Sequence, residues 1–395
     1  MRLRTSILIA VLACSSRSQV PWIRNLSVPN ISRDDSWGPV YEKGGSRLQC
    51  DAAGSLYLSV GDSMLIGAEG GRTWRKPARS EHRFRGQPIP IALGPDGLVA
   101  WGGSISLDKG ISWRSFTNPY LGSAFALCFT NKDALILGQS YDNLELSVDT
   151  GVTWHNVRNG GSWGETKAIV EMGPEWVMAA GGTSYPVFSD DAGETWSTAQ
   201  EKLAGANATI PVHFMVSSPG TPYGLWAFAN GIANQILDDG RVDKGVLQYY
   251  AKEGTSLTLV SIPPGRGYPD SAITSLEATA DPGSAGDILW LGCWGQGVFV
   301  STDKGKSWQA RNEGLSDLYI EAMARGKDGT LHVLTKEGLY SLTGARSAIS
   351  RRDQGPGAFS RRARFRVDGR AQTQPPQTGC SRRSHPATEF GAGPP

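Results

Sequence analysis

One eight-residue pattern, Ser-x-Asp-x-Gly-x-x-Trp, limits what this chain can fold into more than any other feature. It stands at Ser106, Asp108, Gly110 and Trp113; at Ser147, Asp149, Gly151 and Trp154; at Ser189, Asp191, Gly193 and Trp196; and at Ser301, Asp303, Gly305 and Trp308. A degenerate copy, Gly67–Trp74, carries Glu69 in the Asp place. Successive tryptophans lie 39, 41, 42 and then 112 residues apart, so the last gap spans about two repeats. A period of this length marks one supersecondary unit that buries its apolar face only against its neighbours.

Each copy has the same surroundings. A turn such as Gly94-Pro95-Asp96-Gly97 precedes an apolar run, Leu98–Trp101; a short loop, a second run, the motif and a strand from its Trp follow. Counting the strand before the turn, that is four strands per repeat, the pattern of a β-propeller blade. The expected fold is all-β, a single seven-bladed β-propeller over residues 20–345. The fifth blade has no motif and is read from Leu225–Asn230, Val246–Ala251 and Ser256–Ile262. The seventh, Leu331–Leu342 with an inner strand near Tyr319–Ala324, has no outer strand of its own. Pro21–Leu26 resembles the other outer strands, so the N-terminal segment is expected to close the ring. Closure would remove an exposed sheet edge.

The chemistry of the motif is local. Gly admits the positive φ of a tight turn, and the Asp and Ser side chains suit hydrogen bonds to that turn's backbone. The Trp offers about 150–250 Å² of apolar surface to the gap between sheets. The recurring Asp residues are therefore read as structural, not catalytic. The motif resembles the Asp-box, or BNR repeat, of sialidases, sortilin-type receptors, xyloglucan-cleaving propellers and photosystem II assembly-factor-like proteins. The resemblance covers roughly residues 50–345. It implies a fold and leaves the activity open, because one scaffold hosts many functions.

The two ends differ from this body. Arg2, Arg4 and the apolar Ser6–Ala13 resemble an export signal. Val11-Leu12-Ala13-Cys14 resembles a lipobox, so residues 1–14 are expected to be a lipoprotein-type signal segment with Cys14 lipidated. Residues 346–395 are expected to be a disordered Arg/Pro-rich tail. From position 345 on there are ten Arg, no Lys and three acids, against 29 basic and 34 acidic residues before it. A mildly acidic body argues against a nucleic-acid surface. No apolar run reaches the roughly 18–20 residues of a membrane span. Cys50, Cys128, Cys293 and Cys380 show no paired spacing and the five His no ligand spacing, so no metal and no cofactor is expected. Cys50, Cys128 and Cys293 read as small buried hydrophobes.

Ligands of propellers use the face opposite the motif turns. Loops assigned there offer Tyr141, Trp163, Tyr185, Tyr268 and Arg266 as binding residues, with Trp101, Asp142, Trp294, Lys336 and Glu337 beside them. Aromatic groups next to charges suit a protein or carbohydrate ligand. The sialidase resemblance implies three arginines, a Tyr–Glu pair and an Asp acid/base. Phe84-Arg85-Gly86-Gln87-Pro88 resembles the first arginine segment with one extra residue, Arg266 is a possible second, and no Tyr–Glu pair is identifiable. A glycosidase would need two carboxylates across a cleft; with Arg85, Glu165 and Asp270 are the candidates. The favoured expectation is a monomeric, exported bacterial envelope propeller, in the periplasm or at the cell surface, held to the membrane by its lipid. It would bind or assemble without catalysis. The alternative is a sialidase-like or other glycoside hydrolase.

Overall fold

The computed structural model describes residues 21–25, 47–60, 63–77, 89–117, 124–141, 143–159, 165–181, 186–198, 201, 203, 212–229, 245–281, 283 and 286–343. They form seven four-stranded antiparallel sheets, each a meander from an inner to an outer strand. Blade one is Arg47–Cys50, Leu56–Val60, Ser63–Ala68 and Thr73–Arg75; blade two is Ile91–Leu93, Val99–Trp101, Ser104–Ser106 and Arg114–Ser115. Blade three is Ala126–Phe129, Leu135–Gly138, Leu144–Ser147 and His155–Arg158; blade four is Thr166–Gly173, Trp176–Gly181, Val187–Ser189 and Ser197–Thr198. Blade five is Val212–Ser217, Gly224–Ala229, Val246–Glu253 and Ser256–Ile262; blade six is Ile273–Ala280, Asp287–Cys293, Gly297–Ser301 and Gln309–Ala310. Blade seven takes Ile320–Arg325, Leu331–Thr335 and Gly338–Leu342 from the end of the ring and Ile23–Asn25 from its start. Inner strands neighbour one another all the way round, the seventh meeting the first.

The core is not one mass but seven apolar clusters, each built from two adjacent blades. The motif tryptophans occupy these seams. Trp113 packs between blades one and two, Trp154 between two and three, Trp196 between three and four, and Trp308 between five and six. Trp74 of the degenerate copy lies between blades seven and one.

The turns that position them share one hydrogen-bond set. In blade two the Ser106 hydroxyl bridges Asp108 Oδ1 (2.7 Å) and the Gly110 amide (2.6 Å), while Asp108 Oδ1 accepts from the Ser112 amide (2.8 Å). The Trp113 indole N–H donates to the Gly110 carbonyl at 3.1 Å, with Gly110 at φ 79°. Blades three, four and six repeat the set. Two details differ from the sequence reading. The Trp belongs to the turn, so in these four blades strand pairing begins one residue after it. Position seven is also specified: Ser112, Thr153, Thr195 and Ser307 each donate a hydroxyl to the second Asp oxygen. In the degenerate copy Gly67 replaces the Ser, and Trp74 Nε1 is buried without a partner among the described residues.

Closure follows the same design. Ile23, Arg24 and Asn25 pair with Ser341, Tyr340 and Leu339. Trp22 is buried in the seam between blades six and seven, its indole N–H on the Arg311 carbonyl at 2.7 Å. Outer strands also reach forward to the next turn. Asn25 donates to the Gly71 carbonyl (2.8 Å), Arg75 to Gly110 (2.6 Å) and Arg114 to Thr150 (2.8 Å). Trp22→Ala is expected to lower stability by about 3–5 kcal/mol, read as the shift of the urea midpoint.

The turns predict an acid response. Hydrogen bonds from the Ser112 hydroxyl and amide bring Asp108 from 3.8 to about 2, and Thr153 does the same for Asp149. A carboxyl with a depressed folded pKa contributes stability that is full above its unfolded value and lost as pH falls through the folded one. Stability should therefore fall between pH 4 and pH 2. A double variant, Asp108→Asn with Asp149→Asn, should be weaker at pH 7 yet lose less over that window in acid titrations followed by near-ultraviolet circular dichroism.

Candidate functional site: the loop face of blades six and seven

A four-stranded meander puts its first-to-second and third-to-fourth turns at one end. The second-to-third loops and the links to the next blade lie at the other. The motif turns therefore share one face, and the loop face is opposite. On it the 294–296 loop of blade six, the 316–319 end of the following link and the 335–338 loop of blade seven meet. Trp294 bridges Tyr319, their rings edge-to-face at 5.2 Å. The Lys336 ammonium lies 4.6 Å from the Trp294 ring centre and 4.8 Å from that of Tyr319. Cation–π contact holds the ammonium there, and Tyr319 keeps 43% of its surface in solvent.

A buried carboxylate organises this platform. Asp317 accepts the Tyr319 amide on one oxygen and the Glu337 amide on the other, both at 3.0 Å. One side chain thus sets the link that carries Tyr319 and the loop that carries Lys336. Ser316 donates to the Glu337 carboxylate at 3.0 Å, and Arg24 of the closing strand donates to the Glu337 carbonyl at 2.7 Å. On the other flank the Asp270 amide donates to the Gln296 side-chain carbonyl at 3.1 Å. Two aromatic rings, an ammonium and two exposed carboxylates are thereby fixed on backbone that is itself hydrogen-bonded.

A second group sits on the inner strands. Burial raises Glu277 to about 7, against the opposing influence of Arg325 on the neighbouring blade. Burial raises Cys50 to about 12, with Asp51, Asp328 and Glu277 adding to it. Burial lowers the guanidinium of Arg47, at the start of the same inner strand as Cys50, from its ordinary value. Cys128 rises to about 12 by burial and Cys293 rises as well, so these thiols are protonated and unreactive at neutral pH.

Not every sequence candidate reaches the loop face. Tyr268 is 9% exposed and packs on Phe228 and Trp308 in the seam of blades five and six, so it offers no surface to a ligand. Arg266 is exposed, but its backbone pairs with the motif turn of blade six. Its amide donates to Lys306 and its carbonyl accepts from Trp308. The physical reason is that the long link from blade five drops along that turn before rising to blade six. Trp101 is core, edge-to-face with Trp113 and bonded to Ser59. Tyr141 is exposed on the loop face, and Glu165 pairs there with Ser140 while facing Lys167 at 3.5 Å. Glu165 enters on the link to blade four and Asp270 on the link to blade six, so they do not share a loop. Arg85, Asp142, Trp163, Tyr185 and Cys14 lie outside the described residues. Sequence reasoning missed Tyr319 and Asp317. Tyr319 reads in the sequence as the start of the inner strand near Tyr319–Ala324, and only the loop arrangement reveals it as a surface group.

No family model matches this chain, and no curated protein matches it. Solved structures share the fold. One described as YCF48 bound to D1 peptide is 14% identical, with a TM-score of 0.52, covering 82% of this chain and 95% of that one. A streptogramin B lyase is 14% identical, with a TM-score of 0.53 and coverage of 76% and 93%. The GH74 enzyme of Niastella koreensis is 16% identical, with a TM-score of 0.52, over 76% of this chain and 43% of that one. At such identities the likeness establishes the propeller and nothing finer.

The raised Glu277 carries a prediction for stability. A carboxyl whose folded pKa is raised contributes stability that is present below its unfolded value, 4.5, and is lost as pH rises through about 7. Glu277→Gln removes that dependence. Relative to the unsubstituted protein, it should gain stability between pH 5 and pH 8, as read from thermal midpoints across that range.

Proposed function

We propose that this chain is an exported, lipid-anchored propeller of the Asp-box class that binds a peptide segment of a protein partner on its loop face, without catalysis. The observation that carries the reading is the Trp294–Tyr319–Lys336 platform fixed by Asp317. An exposed tyrosine ring and a half-buried tryptophan ring beside an ammonium accept apolar side chains and peptide carbonyls together. Because their backbone is already ordered, binding costs little further ordering. The similar fold solved with a D1 peptide supports a peptide as ligand. The Ser-x-Asp-x-Gly-x-x-Trp turns support the Asp-box class, and the segment ending in Cys14 supports export and anchoring.

The test uses arrays of peptides and glycans probed with the full chain. A peptide ligand should emerge, and Tyr319→Ala combined with Lys336→Ala should weaken it at least about tenfold, or 1.4 kcal/mol, at an unchanged thermal midpoint. Glycan binding lost in that variant would replace the peptide with a sugar. Turnover of fluorogenic sialosides or polysaccharides, abolished by Arg85→Ala, would overturn the non-catalytic reading.

A further inference from the structure

Eight large hydrophobic side chains are exposed among the described residues, and four of them sit on two adjacent motif turns. They are Leu107 (53%) and Ile111 (74%) on blade two, and Val148 (65%) and Val152 (48%) on blade three. The turn chemistry explains why they point outward. Asp108 and Asp149 fold back to accept the turn's own amides, which leaves the second and sixth positions of each motif facing solvent. Nothing in the motif requires those positions to be apolar. The same two places hold Asp190 and Glu194 in blade four, and Thr302 and Lys306 in blade six. The two apolar turns are held side by side, because Arg114 and Thr117 of blade two bond to Thr150 and Val152 of blade three. Arg75 of blade one, whose guanidinium bonds to the Lys109 and Gly110 carbonyls, and the exposed Lys109 of blade two edge the patch. A clustered apolar patch of this kind marks an interaction surface.

Its occupant follows from shape and from where the chain enters the ring. The four side chains stand on turn tips, not in a groove, so they suit a soft surface more than a complementary cleft. Ile23 pairs with Ser341 and Asn25 with Leu339, so Pro21 and Trp22 lie at the end of blade seven that also bears the Leu342 end of its third strand. That is the motif-turn face. Cys14 is seven residues ahead of Pro21, a reach of at most about 25 Å even fully extended. We infer that the motif-turn face lies against a lipid surface, with Leu107, Ile111, Val148 and Val152 seated in its interface and the basic edge toward anionic headgroups. This rests on the proposed anchor for its setting, and it directs the peptide-binding face away from the membrane. Shallow aliphatic insertion beside basic residues is the physics of interfacial binding.

The experiment uses the full chain carrying Cys14→Ser, so that no acyl chain contributes, and vesicles of phosphatidylethanolamine with phosphatidylglycerol. Changing the four aliphatic residues to Ser should lower the vesicle-bound fraction about tenfold at an unchanged thermal midpoint. A bimane label on Ile111→Cys should shift to the blue on vesicles, while one on Tyr141→Cys should not; the unsubstituted chain treated identically gives the background. Equal binding by the four-Ser variant, water-like emission at position 111, or no binding at all would each overturn the inference. So would a concentration-dependent dimer that the four-Ser variant loses, which would give the patch to a second copy. Fatty-acid labelling at Cys14 is read separately, so the anchor stands or falls independently of the patch.

Discussion

A carboxylate that accepts the amides of its own turn is the interaction on which this ring depends. Blade sheets have no inherent means of fixing their distance from the next sheet. The Ser–Asp–Gly turn supplies one by fixing a tryptophan through an indole N–H bond to the turn's own glycine carbonyl, so that the ring packs in the seam with the previous blade. The Asp is thereby consumed by structure, although a repeated acid on a surface turn resembles catalytic material. Where the turn is absent, in blade five, a tight Glu253–Ser256 hairpin replaces it, and Lys252 lies 4.5 Å from the Trp176 ring centre and 4.4 Å from that of Tyr223. The seam then rests on Tyr250 and Leu257 instead of a turn tryptophan.

The two faces inherit different freedoms from this arrangement. On the motif side the Ser, Asp and seventh-position hydroxyls are committed to their turns, and variation falls on the second, fourth and sixth positions. On the loop side the links between blades vary in length, and side chains from different blades converge with little regard to sequence distance. Chemistry aimed at a specific ligand belongs to the second kind of surface. Contact with something extended and unspecific suits the first.

Legibility in the sequence followed the same division. The blade count, the unmarked fifth blade and the closing strand could be read because each rests on a local pattern: four strands per repeat, apolar alternation, and a tryptophan before an outer strand. Trp22-Ile23-Arg24-Asn25 resembled Trp308-Gln309-Ala310-Arg311-Asn312, and the two segments do equivalent work. The loop face was legible only in part. Tyr268 and Tyr319 both stand on links before inner strands, yet one is a core ring and the other a surface ring. The difference lies in how each link turns: Gly265 and Gly267 let the first press against Lys306 and Trp308, whereas Asp317 lifts the second over Trp294. Sequence spacing carries no trace of that path.

The closing strand has a further consequence, for the order in which the ring is assembled. Trp22 meets Arg311 across 289 residues and Arg24 meets Glu337 across 313, while most other strand pairs join neighbours in the chain. Contacts of such separation form late, because the entropy of closing the intervening chain must be met first. During synthesis the first strand emerges before any partner exists, and six blades can stack while it waits. Until the Ile23–Asn25 strand docks with Trp22, the Gly338–Leu342 edge and the apolar seam around Trp290 and Tyr340 have no cover. The most aggregation-prone moment in the life of this protein is therefore the interval just before its two ends meet.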